Sequence, residues 1–292
     1  MKCKKCGRTD VKSYVRSKDN RIDYRCKCGS KAKPVLTLTE MGYMIGRGNV
    51  KDAFSKDVVD QIKFEPAYSG SKLIIGDVHA PYTLAGYLGF VKRIQEKYDI
   101  APEDVYCAGD IVDNHAISMH DHDPSLSSPS HELKTTIAFL QEWYEAFPLL
   151  KIATGNHDAL PIRRAVKYGL PEEYLKDYLQ VLKAPVGWEM KRDWWLDENT
   201  VLVHGTGFAG KYPHANMAMK KMCNTIMGHI HTVAGVHHIV NERTKIWGMC
   251  VGCGIDRNFP AFDYARNFAN KPVISCGVLL NGNTPIIELM DL

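Results

Sequence analysis

No stretch of this chain comes near the roughly 18 consecutive apolar residues of a membrane span, so no transmembrane segment is expected. The opening residues, MKCKKCGRTD, lack the apolar core of a secretory leader, and no such signal is expected there. Internal repeats and long low-complexity tracts are also missing, which excludes a repeat architecture. Nine cysteines cannot all pair, and those near the start have metal-binding spacing, so a reducing compartment and a cytoplasmic location are expected. What is present is a globular composition, 45% hydrophobic and 24% charged, over 292 residues. That length suffices for one large α/β domain and a small extra module.

Acidic residues are scarce in one place. Residues 1–34 hold 12 Lys or Arg against 3 Asp or Glu, a net of +9 in a chain of net +4, which leaves −5 for residues 35–292. A block of that sign attracts polyanions, although a solvated basic surface has the same charge.

The same block holds Cys3 and Cys6 as a CxxC pair, and Cys26 and Cys28 as a CxC pair. Four thiolates so spaced close the tetrahedral sphere of a structural zinc. Between them, VKSYVRSKDNRIDYRC reads as two short strands around the turn KDN. A zinc ribbon is therefore expected over 1–34, with one structural zinc supplying folding energy that so small a core lacks. Residues 35–70 are expected to be a linker or short helical segment, with Phe54, Val58, Val59 and Ile62 on one side of the helix.

From residue 71 a pattern recurs. KLIIGDVH, VYCAGDIVDNH, LLKIATGNHD, TVLVHG and NTIMGHIH are β-rich runs that each end in oxygen or nitrogen ligands. Helix-like stretches such as LAGYLGFVKRIQEKY and ELKTTIAFLQEWYEAF lie between them. In open α/β sheets, sites form at the carboxyl ends of strands. Carboxylates, imidazoles and one amide suit divalent Mn, Fe or Zn. There are too many ligands for one ion, and two ions sharing a carboxylate would use them all.

D-x-H, G-D-x-x-D, G-N-H-D, a lone H-G and G-H-x-H, in that order, resemble the calcineurin-like metallophosphoesterases. The resemblance covers roughly 72–235 and implies a four-layer α/β/β/α sandwich over 71–292, with two divalent ions. Carried over, Asp77, His79, Asp110 and His231 resemble the ligands of one ion. Asp110 would bridge to a second ion held by Asn156, His204 and His229. His157 matches the family's catalytic histidine, and Asp113 stands where the family places the group that orients it. Asp158 is expected to fix the turn through backbone amides, as Asx side chains do.

One departure narrows the substrate. Phosphoprotein phosphatases of the family read G-D-x-V-D-R-G, with the Arg clamping phosphate; this chain reads GDIVDNH, with Asn114 in that place. Arg163 or Arg164 could replace the clamp or simply face solvent. His120 and His122, in NHAISMHDHDPSLSSPSHE, could touch substrate or belong to a polar loop. Cys250 and Cys253 read as buried thiols rather than a second zinc site. Phe259, Phe262, Tyr264 and Phe268 read as core rather than a base-stacking platform.

The expected function is a dinuclear phosphoesterase. A phosphodiesterase or nuclease delivered to DNA or RNA by its ribbon is the first reading. A phosphomonoesterase or nucleotide hydrolase whose ribbon binds protein is the alternative. A non-catalytic binding protein comes third, because the ligand set is complete.

Overall fold

A computed structural model describes residues 70–118, 128–259 and 269–291, together with three short strands near the N-terminus. The chain divides into two units, Met1–Ala67 and Tyr68–Leu292.

In the first unit, β1 (Lys12–Arg16) pairs antiparallel with β2 (Arg21–Arg25), and β3 (Lys31–Ala32) adds to β2. These are the two strands expected between the cysteine pairs, plus a third. The register sets Lys12 opposite Arg25 and Arg16 opposite Arg21, so both ends of the ladder pair cationic residues. Cys3, Cys6, Cys26, Cys28 and the segment 35–69 lie outside the described residues.

In the second unit the apolar runs become strands of two sheets. The first sheet holds β4 (Lys72–Ile75), β5 (Val105–Cys107), β6 (Leu150–Ala153) and β7 (Trp188–Lys191), all parallel. It is extended past β4 by antiparallel β13 (Ser275–Leu280) and β14 (Thr284–Leu289). The second sheet has the order β11-β12-β10-β9-β8. Its strands are β8 (Asp193–Asp197), β9 (Thr200–Val203), β10 (Asn224–Met227), β11 (Ala234–Val240) and β12 (Lys245–Val251). Within it β9, β10 and β12 run parallel.

Side-chain alternation explains how each sheet buries both faces. Leu73 and Ile75 point into a cluster with Tyr87, Phe90, Val91 and Ile94 of helix α1 (Tyr87–Lys97) and Leu140 and Trp143 of α2 (Pro129–Ala146). Ile74, between them, joins a second cluster with Tyr106 and Leu279 from its own sheet and Trp194, Leu202, Ile226 and Met249 from the other. Val201, Val203 and Met227 meet Met217 of α5 (Pro213–Lys221) in a third cluster. Two shorter helices, α3 (Leu160–Lys167) and α4 (Tyr178–Leu182), follow β6. Among its described residues the second unit is thus mixed α/β, with two sheets and five helices.

The helices follow from local sequence. Buried positions on α1 fall at the spacing of one helical face, and Gly86 enters it at φ 87°. Ser128 caps α2, accepting from the His131 amide at 3.4 Å, and Pro129 stands at the first turn. Phe259 is partly buried and stacks on Tyr82, ring centroids 4.3 Å apart; Phe262, Tyr264 and Phe268 lie outside the described residues. Among the described residues no helix is long and apolar enough to cross a membrane.

Candidate metal centre

Each ligand-bearing motif leaves the carboxyl end of a strand: β4, β5 and β6 in one sheet, β9 and β10 in the other. The loops are stitched together by main chain. The Asp110 carbonyl accepts from the Val78 and His79 amides at 3.1 and 2.8 Å. Two motif glycines have a steric reason. A Cβ on Gly155 would lie 2.0 Å from Asp110 Oδ1, and one on Gly228 would lie 2.0 Å from Asp77 Oδ1. Each glycine leaves room for the carboxylate of another strand.

The nine core residues singled out in the sequence converge. Asp77, His79 and His231 bring ligand atoms within 4.8 Å of one another, as do Asp110, His204 and His229. Asp110 stands between these groups: its Oδ2 is 3.1 Å from His204 Nε2 and 3.7 Å from His79 Nε2. Asn156 Oδ1 lies 2.9 Å from the same His204 Nε2. A third group, His79, Asp113 and His157, shares His79 with the first.

The donor set fits cations. Asp77 is fully buried, and among the described residues its Oδ1 has no hydrogen-bond partner. An orphaned buried carboxylate oxygen is costly unless a positive charge meets it. His204 Nδ1 lies 2.9 Å from the Ala108 carbonyl, which can only accept, so Nδ1 carries the proton. Nε2 then presents its lone pair to Asp110 and Asn156, three acceptors at one point. His79 repeats the device, with Nδ1 2.5 Å from Asp113 Oδ1 and Nε2 3.1 Å from His231 Nε2. An outer hydrogen bond that fixes the inner nitrogen is the usual support of a metal-ligating histidine.

The electrostatics agree. Burial opposes charge on His204, but Asp110 and Asp77 outweigh it and push the ring up to about 10. A proton there balances Asp110, and a cation would displace it. Asp110 itself is held low, His204 overcoming the effect of burial. Burial pushes His79 and His229 down, so both favour the neutral ring a metal needs.

His157 stands apart, its side chain 22% exposed where Asp113 is 2%. Its Nδ1 meets the Asp113 main-chain carbonyl at 2.5 Å, which makes Nδ1 the donor. The Asp113 carboxylate is 3.6 Å from that ring and bonded to His79 instead. Although burial resists it, Asp110 and Asp113 raise the His157 pKa. Asp158 accepts from the Gly155 amide at 3.0 Å and the Val112 amide at 3.3 Å, so it pins the two motif loops together. Burial, with Asp110 nearby, pushes Asp158 up to about 7.

Asn114 has a role that the sequence did not disclose. It adopts φ 53°, and its amide donates to the His157 carbonyl at 3.0 Å and the Tyr178 hydroxyl at 2.8 Å. Glu132 was also missed; it accepts from the His115 and Ala116 amides at 2.8 Å each. Its place in the first turn of α2 was the available signal. Arg164 is spent on the same loop, donating to the carbonyls of Ile117 (2.7 Å) and Ser118, while Arg163 is exposed. Cys250 and Cys253 are buried thiols that contact the carbonyls of Gly228 and His231 respectively. His120 and His122 lie outside the described residues.

A model of the calcineurin-like phosphoesterase family matches residues 72–246, well over half of the chain. The chain therefore belongs to that family and is a metal-dependent phosphoric ester hydrolase. No curated protein matches it.

Proposed function

We propose that this calcineurin-like phosphoesterase cleaves phosphodiester bonds of nucleic acid, and that the basic N-terminal block delivers it there as a zinc ribbon held by Cys3, Cys6, Cys26 and Cys28. The observation that carries the reading is the charge segregation: +9 in residues 1–34 and −5 in the rest. Asn114, neutral and engaged with His157 and Tyr178, cannot clamp a phosphate as an arginine would. That supports a substrate other than a phosphoprotein.

In this reading Asp77, His79, Asp110 and His231 hold one divalent ion, Mn, Fe or Zn. Asp110, Asn156, His204 and His229 hold the other. When bound, such a pair activates water and neutralises charge on the phosphoryl oxygens. The chain's own groups do the rest. Asp113 sets His79 through its carboxylate and His157 through its carbonyl. With Nδ1 committed, His157 can hold a proton at Nε2 for the leaving oxygen, and its raised pKa favours that state. Asn156 contributes a neutral oxygen, which limits the negative charge of the centre. The three apolar clusters support the four-layer α/β/β/α order. The five described cysteines are all free, which supports a reducing, cytoplasmic setting.

Deleting residues 1–34 tests delivery. Oligonucleotide binding should weaken, and its salt dependence should flatten by about 0.9 for each duplex phosphate that the block had neutralised. Turnover of a small phosphodiester should hardly change, since every proposed core ligand lies beyond residue 76. Cys26→Ser should mimic the deletion, because a ribbon without its metal has no fold. Equal affinity and equal salt slope with and without the block would end the delivery idea. A small phosphomonoester or nucleotide would then be the better substrate, with the ribbon docking on protein.

A further inference from the structure

Residues 199–241 contain no Asp or Glu, within a region, 35–292, that is net −5 overall. The stretch carries Lys211, Lys220, Lys221 and six of the twelve histidines. Lysine ion pairs such as Lys72–Asp104, Lys97–Glu288 and Lys191–Glu189 lie elsewhere. These cations alternate with exposed or half-buried rings. The Lys220 ammonium sits 5.2 Å from the Phe208 ring centroid, and that of Lys211 5.1 Å from Tyr212. Tyr212, 46% exposed, lies 5.4 Å from the His237 ring. A groove of about 320 Å³ is lined by Gly207, Phe208, Ala209, Asn216, Met219 and Lys220.

The groove adjoins the metal centre along the chain. Phe208 follows His204 by four residues, so their Cα atoms are at most about 14 Å apart. The turn closed by the Phe208 amide on the Gly205 carbonyl, at 3.0 Å, shortens that reach.

We propose that this surface, formed by Phe208, Lys211, Tyr212 and Lys220, binds single-stranded nucleic acid beside the metal centre. The assignment rests on the nucleic-acid reading above and sharpens it to single strands. Unpaired lysines neutralise backbone phosphates, and a base stacks on an aromatic face regardless of sequence. A duplex hides its base faces, so Phe208 and Tyr212 would contribute little to it.

The test uses the full-length protein and a fluorescein-labelled, nuclease-resistant phosphorothioate oligonucleotide, single-stranded or in a duplex, across a salt series. Lys211→Gln/Lys220→Gln should lower single-strand affinity and flatten the log–log salt slope by about 1.4, or roughly 0.7 per phosphate. Phe208→Ala should weaken single-strand binding by roughly 5- to 150-fold, the range for removing one base stack. Hydrolysis of bis-p-nitrophenyl phosphate should be unchanged in the lysine variant, whose side chains are exposed and carry no core packing. Wild-type affinity and slope in the lysine variant would overturn the proposal, even if the enzyme still cleaved oligonucleotides and the nuclease reading stood. An equal loss on duplex in Phe208→Ala, or a matching loss on the small diester in the lysine variant, would also overturn it. If the unmodified protein neither binds nor cleaves any oligonucleotide, both readings fall together.

Discussion

Asp110→Asn is expected to remove nearly all hydrolysis, by roughly 10³-fold or more, because a metal's charge stabilisation is worth several kcal/mol. The Asp110 carboxylate faces both proposed groups of ligands, with Oδ2 3.1 Å from His204 Nε2 and 3.7 Å from His79 Nε2. An asparagine there has no charge and at most one good ligand oxygen. Its NH2 would point donor hydrogens either at those imidazoles or at the His157 amide, which now donates to Oδ1 at 2.8 Å. Both ions should loosen together. The fold should survive, since the bonds to Val78 and His79 come from the Asp110 main chain, and asparagine tolerates its φ of 46°. Metal analysis should find one equivalent or less in the core, ribbon zinc aside. Two tightly held core ions with normal turnover would take Asp110 out of the bridging position.

His157→Ala is the complementary case. The ring stands outside both proposed ligand sets, so both ions should stay while turnover falls by roughly 10²–10⁴, the range for removing a general acid or base. The loss should be smaller on esters with very good leaving groups, which need no proton. An equal loss on good and poor leaving groups would reassign His157 to stabilising charge on the phosphoryl oxygens. The neighbouring Asn114 separates the roles further. Its bonds to the His157 carbonyl and Tyr178 hold the main chain rather than the ring, so Asn114→Ala should misplace the imidazole without altering its chemistry.

The candidate metal centre was legible because its chemistry is local in sequence. Each ligand follows an apolar run of three or four residues by only one to four positions, and a strand delivers its end to a sheet edge wherever its neighbours lie. The Asp158 turn is local too, and its bond to the Gly155 amide spans three residues. The hidden parts depend on distant partners. Asn114 meets Tyr178 from 64 residues away, and no spacing rule links them. The Asp113 carboxylate meets His79 from 34 residues away, and Asp110, earlier in the same loop, takes left-handed backbone, which breaks the alternation that a strand would forecast. The outer strands were equally hidden. SCGVLL gives no sign that β13 returns to pair with β4, some two hundred residues earlier, and in β11 both His237 and His238 are exposed, which blurs the alternation of a strand.

Three of the proposed ligands, His79, Asp110 and His229, hold positive φ, a conformation that costs an L-residue roughly 1–2 kcal/mol, less for aspartate. Around them Asp77, Asp110, Asp113 and Asp158 are buried close together. A protein built this way gathers backbone strain and buried negative charge at one site, where a bound cation would offset them. Any ion that binds only the folded chain adds RT ln(1 + [M]/Kd), about 2.7 kcal/mol at a hundredfold excess over Kd. The melting temperature should therefore climb with free divalent metal and fall under a chelator, with a much shallower climb in Asp110→Asn. Heat tolerance in this enzyme becomes a property of its ion supply as much as of its sequence.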